Sequence, residues 1–318
     1  MPVQDSKKNE ITVRIGTRGS ELALAQAHEV KQRLMAAHDH LSENMIEIMV
    51  MSTKGDRILD RPLSEIGGKG LFTEEIETAL LGGEIDIAVH SLKDMPTMLP
   101  DGLELVCYLE REDVRDAFIS GKGRSLQDMP AGSTIGSASL RRQAQTLALR
   151  DDITVESFRG NVQSRLRKLD EGIVDATYLA MAGLNRLGLK DSRIHPIDVE
   201  DFLPAVAQGA ISIEIASHNE GARNMLRPLN HHATEVCVRA ERAMLKILDG
   251  SCRTPIAGYA TLVGDMITLK GLISLPDGSE DYSFEMQGEN PEQLGTTVGQ
   301  VLREEAGEDF FKKLSAGS

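Results

Sequence analysis

Tryptophan is absent from the 318 residues, and aromatic residues make up only 3% of them, so the chain has few rings on which nucleobases could stack. The charge balance excludes the same class of partner, because a formal net charge of −14 repels a polyanion. No run of about 18 apolar residues occurs, which excludes a spanning helix. The first ten residues, MPVQDSKKNE, contain no apolar stretch of the kind a signal peptide or anchor needs, so a cytoplasmic protein is expected. Cysteine is scarce as well. Cys107, Cys237 and Cys252 are widely spaced, odd in number and form no CxxC pair, which argues against a disulfide framework and against a zinc or other metal site.

The remaining composition, 41% hydrophobic and 26% charged, is that of a soluble globular protein long enough for two or three domains. The most informative stretch is IDIAVHSLKDMP, residues 85–96. Its apolar alternation stops in His90, Ser91, Lys93 and Asp94 before Pro96 ends pairing. A buried strand that delivers ionisable groups at its carboxyl end is where open α/β sheets bind ligands, which makes Asp94 beside Lys93 the first candidate for chemistry. A strand-end turn with a solvated ion pair is the alternative.

The chain opens with a strand, ITVRIG, and a turn carrying Arg18 and the N-cap Ser20, followed by a helix. A second strand at 46–51 leads into a long polar stretch, 52–70, read as a lid loop that includes Asp56 and Lys69. A helix at 71–81 precedes the central strand at 85–89, and another strand at 103–108 precedes a crossover at 110–116. The pattern then restarts: STIGSASL at 133–140 echoes IGTRGS at 15–20, and EGIVDATYLA at 171–180 echoes GEIDIAVHSL at 83–92. Two lobes of like topology, facing each other across a cleft, are expected. Residues 141–168 form a basic island in an acidic chain, suited to a small anionic ligand. Arg141 and Arg142 stand in the first turn of a helix, where the dipole disfavours cations unless an anion is near. Arg159, Arg165 and Arg186 recur at the ends of successive strands. Residues 202–216 bring the chain back to the first lobe, with Gln208 at the hinge. A helix at 232–248, a tight loop with Cys252, three alternating strands at 256–263, 266–274 and 279–286 and a helix at 291–315 make a small third domain. Cys107 and Cys237 lie in apolar stretches and read as core fillers.

Taken in order, IGTRGSELAL, STKGDRILD, GGKGLF, IDIAVHSLKDMPT, EREDVRDAF, GSASLRRQAQ, FRGNVQSRLRKLD, LAMAGLNRLG, AVAQGA, ERAML and GSCRTPIA resemble the porphobilinogen deaminase (hydroxymethylbilane synthase) family over nearly the whole chain. The resemblance implies an α/β fold of two similar doubly wound lobes of the type II periplasmic-binding-protein kind plus a small α+β C-terminal domain. The expected division is 10–110 with 208–228, 115–204, and 231–318. It implies a dipyrromethane cofactor held by a thioether to Cys252, and the head-to-tail joining of four porphobilinogen units, each losing ammonia, into hydroxymethylbilane.

By the same resemblance Asp94 is the catalytic carboxylate, which stabilises the cation left when ammonia departs and moves protons on and off the pyrroles. Lys93, Asp94, Ser137, Ser139, Arg141, Arg142 and Gln208 hold the cofactor together with Cys252, while Arg18, Ser20, Gln26, Arg159, Arg165 and Arg186 hold the substrate. Asp56 and Lys69 belong to the lid. A monomer that passes its product to uroporphyrinogen III synthase is expected, with no nucleic acid or membrane partner. The chain departs from the common family pattern at Glu65 (usually lysine), Ala138 (serine), Ala207 (glycine) and Ser251 (glycine), which puts affinity and lid behaviour in doubt rather than the chemistry. The rival readings are a two-lobed binding protein that clamps an anion without chemistry, and the effector-sensing domain of a regulator.

Overall fold

The computed structural model describes residues 13–57, 73–248 and 254–316. The first sheet has the order β2-β1-β3-β10-β4, from β1 (Val13–Arg18), β2 (Ile46–Met51), β3 (Ile87–Ser91), β4 (Leu103–Tyr108) and β10 (Ile211–Ala216). β1, β2 and β3 run parallel, while β10 is antiparallel to both β3 and β4. The second sheet repeats the plan as β7-β6-β8-β5-β9, from β5 (Asp116–Ser120), β6 (Thr134–Gly136), β7 (Thr154–Glu156), β8 (Ala176–Ala180) and β9 (Ile194–Pro196). Again three parallel strands meet an antiparallel strand that has crossed from the other lobe. The repeated words in the sequence are therefore equivalent pieces of equivalent sheets: β1 and β6 each lead into a serine-capped helix, and β3 and β8 are both central strands. The fold consists of two doubly wound lobes of like topology plus a smaller α+β unit.

Both faces of the first sheet are covered, as parallel strands require. Helix α1 (Glu21–Ala37) packs Ala27, Val30 and Leu34 onto Val13, Ile15, Val89 and the isoleucines of β10, and Ala222 and Leu226 of α6 (Glu220–Leu226) join the same core. On the other face α2 (Glu74–Leu81) sets Ile76, Ala79 and Leu80 against Ala88 and Leu103. The alternation in ISIEIA implies one solvated face, but all six residues of β10 are buried. With Ile211, Ile213 and Ile215 in the α1-side core, Ser212 and Glu214 project to the α2 side.

In the smaller unit β11 (Ile256–Val263), β12 (Met266–Ser274) and β13 (Asp281–Gly288) form an antiparallel meander. It is covered by α7 (His232–Ile247) and by α8 (Pro291–Ala316), which bends at Gly307. The two helices touch because α8 places Gly295 and Gly299 on the backbone of α7; a Cβ at 299 would lie 2.8 Å from Ile247 Cβ. Cys237 is buried in this core and Cys107 in that of the first lobe. Burial pushes their thiols up to about 11 and about 12, so neither supplies thiolate near neutrality.

Two passages without helix or strand, an open one through 109–115 and a turn-rich one through 202–210, join the lobes, and the smaller unit grips both. Glu241 of α7 accepts from Arg111 at 2.6 and 3.1 Å, from the Ala207 amide at 2.6 Å and from the Ala260 amide at 2.8 Å. Ala207, one of the departures noted in the sequence, is buried with φ +60°, a left-handed conformation that strains any residue with a Cβ. Ala207→Gly is expected to raise unfolding stability by up to about 1 kcal/mol, read as a shift of the denaturation midpoint; a lower midpoint would refute the strain.

Candidate active site

At the carboxyl ends of β1 and β3 lies a cavity of about 70 Å³ lined by Arg18, Ser20, Gln26, Thr73, His90, Ser91 and Asp94 among apolar neighbours. β1 runs on to Arg18, and a 3-10 turn, Leu92–Asp94, follows β3, so the sheet itself fixes the separation of the two charges. An Arg18 guanidinium nitrogen stands 4.0 Å from the Asp94 carboxylate. Ser20 caps α1 by accepting from the Ala23 amide at 3.2 Å, which leaves its hydroxyl on the cavity wall. Gln26, buried on the first turns of α1, donates to Ser91 Oγ at 2.8 Å. Asp94 remains well exposed at 41% of its side-chain surface, open to a ligand entering the cleft.

Behind Asp94 a hydrogen-bonded chain crosses from one lobe to the other. Lys93 Nζ donates to Gln208 Oε1 at 3.2 Å. Gln208 Nε2 donates to the Val114 carbonyl at 2.8 Å and to Asp116 Oδ1 at 3.1 Å. Asp116 in turn accepts from Arg141 at 2.7 Å and from Arg142 at 2.6 and 3.1 Å. The remaining donors of these arginines reach the Leu203 and Tyr178 carbonyls, but Arg141 Nε is buried with no hydrogen-bond partner among the described residues. The anion that explains two cations in the first turn of α3 (Leu140–Leu149) is thus first of all Asp116, a protein side chain 25 residues upstream of Arg141. Desolvation and the nearby arginines lower the Lys93 ammonium to about 8, against the pull of Asp94 and Asp116.

Arg165, on α4 (Val162–Asp170), donates to the Gly160 carbonyl at 2.9 Å. Burial, with Arg142 and Arg159 adding to it, lowers it to about 10. Arg186 closes α5 (Met181–Arg186) and reaches across the lobes to Glu29 at 3.3 Å and to the Gly209 carbonyl at 3.1 Å. Ser139 caps α3 through the Arg142 amide, and Ser137 Oγ accepts from the Ser139 amide at 3.1 Å. The structure therefore gathers Arg18, Ser20, Gln26 and Asp94 at one cavity, and Lys93, Gln208, Arg141 and Arg142 in one network. Arg186 is tied to a lobe-to-lobe contact. Cys252, Lys69 and the Asp56 side chain, with the rest of the expected lid and the departures Glu65 and Ser251, lie outside the described residues.

The family model described as porphobilinogen deaminase, dipyromethane cofactor binding domain, matches residues 13–224, and that of the porphobilinogen deaminase C-terminal domain matches residues 235–304. A porphobilinogen deaminase of Nitrobacter winogradskyi is 53% identical over 311 residues, 97% of this chain and 98% of that protein. One of Paracoccus denitrificans is 53% identical over 301 residues, 94% and 96% of the two chains. The chain belongs to the porphobilinogen deaminase family. It is accordingly a transferase of tetrapyrrole biosynthesis with a dipyrromethane-binding domain.

The donor set fits such a cofactor, whose rings carry carboxylates. A buried nitrogen of Arg141 has no hydrogen-bond partner among the described residues, burial and two neighbouring guanidinium groups lower Arg165, and Lys93 is a desolvated ammonium. Three residues of this arrangement escape a reading of the sequence. Asp116 looks like part of a charged connector because its partners are distant in sequence; its one local signal is that it opens the apolar run AFI. His90 and Thr73 look like a strand end and a helix cap, and they become cavity walls only when α2 folds over β3.

Proposed function

We propose that Asp94 is the catalytic carboxylate of this enzyme, and that Cys252 carries the dipyrromethane that primes the joining of four porphobilinogen units into hydroxymethylbilane. The observation that carries the reading is Asp94 at the carboxyl end of the central strand, exposed to the cleft, 4.0 Å from Arg18 and next to the ammonium of Lys93.

The dipyrromethane supplies, when bound, the free ring carbon to which the first unit is joined. Lys93, Gln208, Arg141, Arg142, Ser137 and Ser139 would hold its carboxylates; of these, Lys93 and the Nε of Arg141, unpartnered among the described residues, have donors suited to an added anion. Arg18, Ser20, Gln26, Arg159 and Arg165 orient the acetate and propionate groups of the incoming porphobilinogen, and Arg186 acts from the lobe contact. As ammonia leaves, positive charge grows on the aminomethylpyrrole, and the Asp94 carboxylate stabilises it in a partly desolvated cleft. After the carbon–carbon bond forms, the same carboxylate accepts the proton from the ring carbon. Asp56 and Lys69 are assigned to the lid.

We assign 10–110 with 208–228 to the first lobe, 115–204 to the second and 231–318 to the cofactor-carrying unit, a division supported by the three separate sheets. No helix of the described residues is long and apolar enough to cross a membrane. A cytoplasmic monomer that passes its product to uroporphyrinogen III synthase is our working assignment.

Intact mass spectrometry of the purified protein beside Cys252→Ser tests the priming. An excess equal to one dipyrromethane is expected in the parent and not in the variant. A parent that shows only its polypeptide mass after incubation with porphobilinogen would remove Cys252 from this role.

A further inference from the structure

Between the first sheet and α2, the apolar layer of Ile76, Ala79, Leu80 and Ala88 encloses ionisable groups that the mechanism above does not use. His90 Nε2 lies 3.0 Å from Glu214 Oε2 with both side chains buried, at 4% and 0% exposure. Glu77 of α2 is buried beside them. Glu77 Oε1, Glu214 Oε1 and Ser212 Oγ have no hydrogen-bond partner among the described residues. Buried oxygens left so are strongly destabilising unless water reaches them. The cluster does not end inside the core: His90 is also a wall of the cavity that holds Asp94 and Arg18.

We propose that His90, held by Glu214 and backed by Glu77 through buried water, is the proton store of the catalytic cavity. The inference rests on Asp94 being the catalytic carboxylate. At each coupling the carbon–nitrogen bond of an aminomethyl ammonium breaks, its electron pair leaves with ammonia, and a ring carbon of the chain end supplies the pair for the new carbon–carbon bond. That ring carbon then loses its proton, the C–H pair returning to the ring, so each coupling yields one ammonia and one proton. Asp94 receives the proton and must lose it before the next unit arrives. Neutral His90 takes it from Asp94 and becomes imidazolium facing the Glu214 carboxylate, and the proton finally leaves on ammonia as ammonium.

Glu214 acts as a positioning residue here, because it fixes which imidazole nitrogen faces the core and stabilises the cation. Burial raises the Glu77 carboxyl against the pull of the Thr73 hydroxyl, and Glu214 adds to the rise while His90 opposes it. The other titratable groups on its helix are Glu74, tied to Lys54 at 2.7 Å, and Glu75. Asp94 and Arg18 face His90 from the cavity.

The test compares the pH profile of kcat in the parent, Glu214→Gln, His90→Gln and Glu77→Gln, together with an imidazole ¹⁵N titration of His90. In Glu214→Gln and His90→Gln, kcat is expected to fall about tenfold or more with KM within about twofold, and a limb of the profile moves by about one pH unit. Should either fail to fold, Glu77→Gln, an isosteric change, is expected to displace both the profile and the His90 ring titration. Profiles of unchanged shape, with activity loss that follows thermal stability alone, would overturn the store. A parent that extends its pyrrole chain by mass while the variants keep the parental profile removes only this inference; a parent that never extends removes the reading it rests on.

Discussion

Asp94→Ala is expected to lower kcat by about 10²–10⁴-fold while the protein still folds and still carries its cofactor. The size of the effect comes from two roles on one group. In the proposed mechanism the carboxylate stabilises the cation that develops as ammonia leaves, and it then takes the ring proton. The structure also explains why stability should hardly change. Asp94 is 41% exposed and its contact with Arg18 is 4.0 Å long, and a loose, solvated pair of this kind contributes little to folding. The decisive comparison is therefore between rate and mass in one sample. A variant with parental melting temperature and a dipyrromethane mass increment, but with turnover down by at least about 100-fold, separates chemistry from assembly. Turnover within a few-fold of the parent would remove Asp94 from the catalytic role.

That carboxylate was visible in the sequence because a single strand carries it. An apolar run ending in His-Ser-Leu-Lys-Asp marks a strand that delivers charge to an edge, and neither period nor composition competes with that reading. The boundaries were less legible. The strand expected at 85–89 lies at Ile87–Ser91, since β10 pairs with His90 and Ser91 through Ser212 and Ile211 and carries regular backbone past the polar residues. The strand expected at 279–286 lies at Asp281–Gly288, where its register on β12 places it. The alternation of ISIEIA misleads for the same reason: the face occupied by Ser212 and Glu214 is polar and yet covered by α2. Only tertiary packing tells a solvated polar face from a buried one.

The basic island shows the same limit from the side of charge. Arg150 is bound to Asp152, and Lys168 donates to the Arg159 carbonyl at 3.0 Å, so part of the island serves local structure. The anomaly of Arg141 and Arg142 at a helix N-terminus correctly demanded an anion. That anion includes Asp116, which no local pattern connects to them.

Asp116→Asn should therefore be the most destabilising of the substitutions considered, by about 3–5 kcal/mol, because it keeps the shape of the side chain and leaves two buried guanidinium groups without their counter-ion. Burial alone would raise the Asp116 carboxyl; Arg141 and then Arg142 outweigh it and hold the group well below the usual carboxylate range. The direction fixes the pH dependence. With the folded value depressed, the unfolded chain binds the proton more readily, so stability falls as pH falls. The contribution is complete above the unfolded value of about 3.9, fades below it, and is gone once the pH passes the folded value. The parent should accordingly lose melting temperature on acidification from about pH 4, and Asp116→Asn should start lower at pH 7 and lose less over the same interval. Melting followed by circular dichroism from pH 7 to pH 3 checks both slopes. A variant that melts within a degree or two of the parent at pH 7 would show that Asp116 does not hold the arginine pair, and the cofactor seat proposed at Arg141 and Arg142 would then need another support.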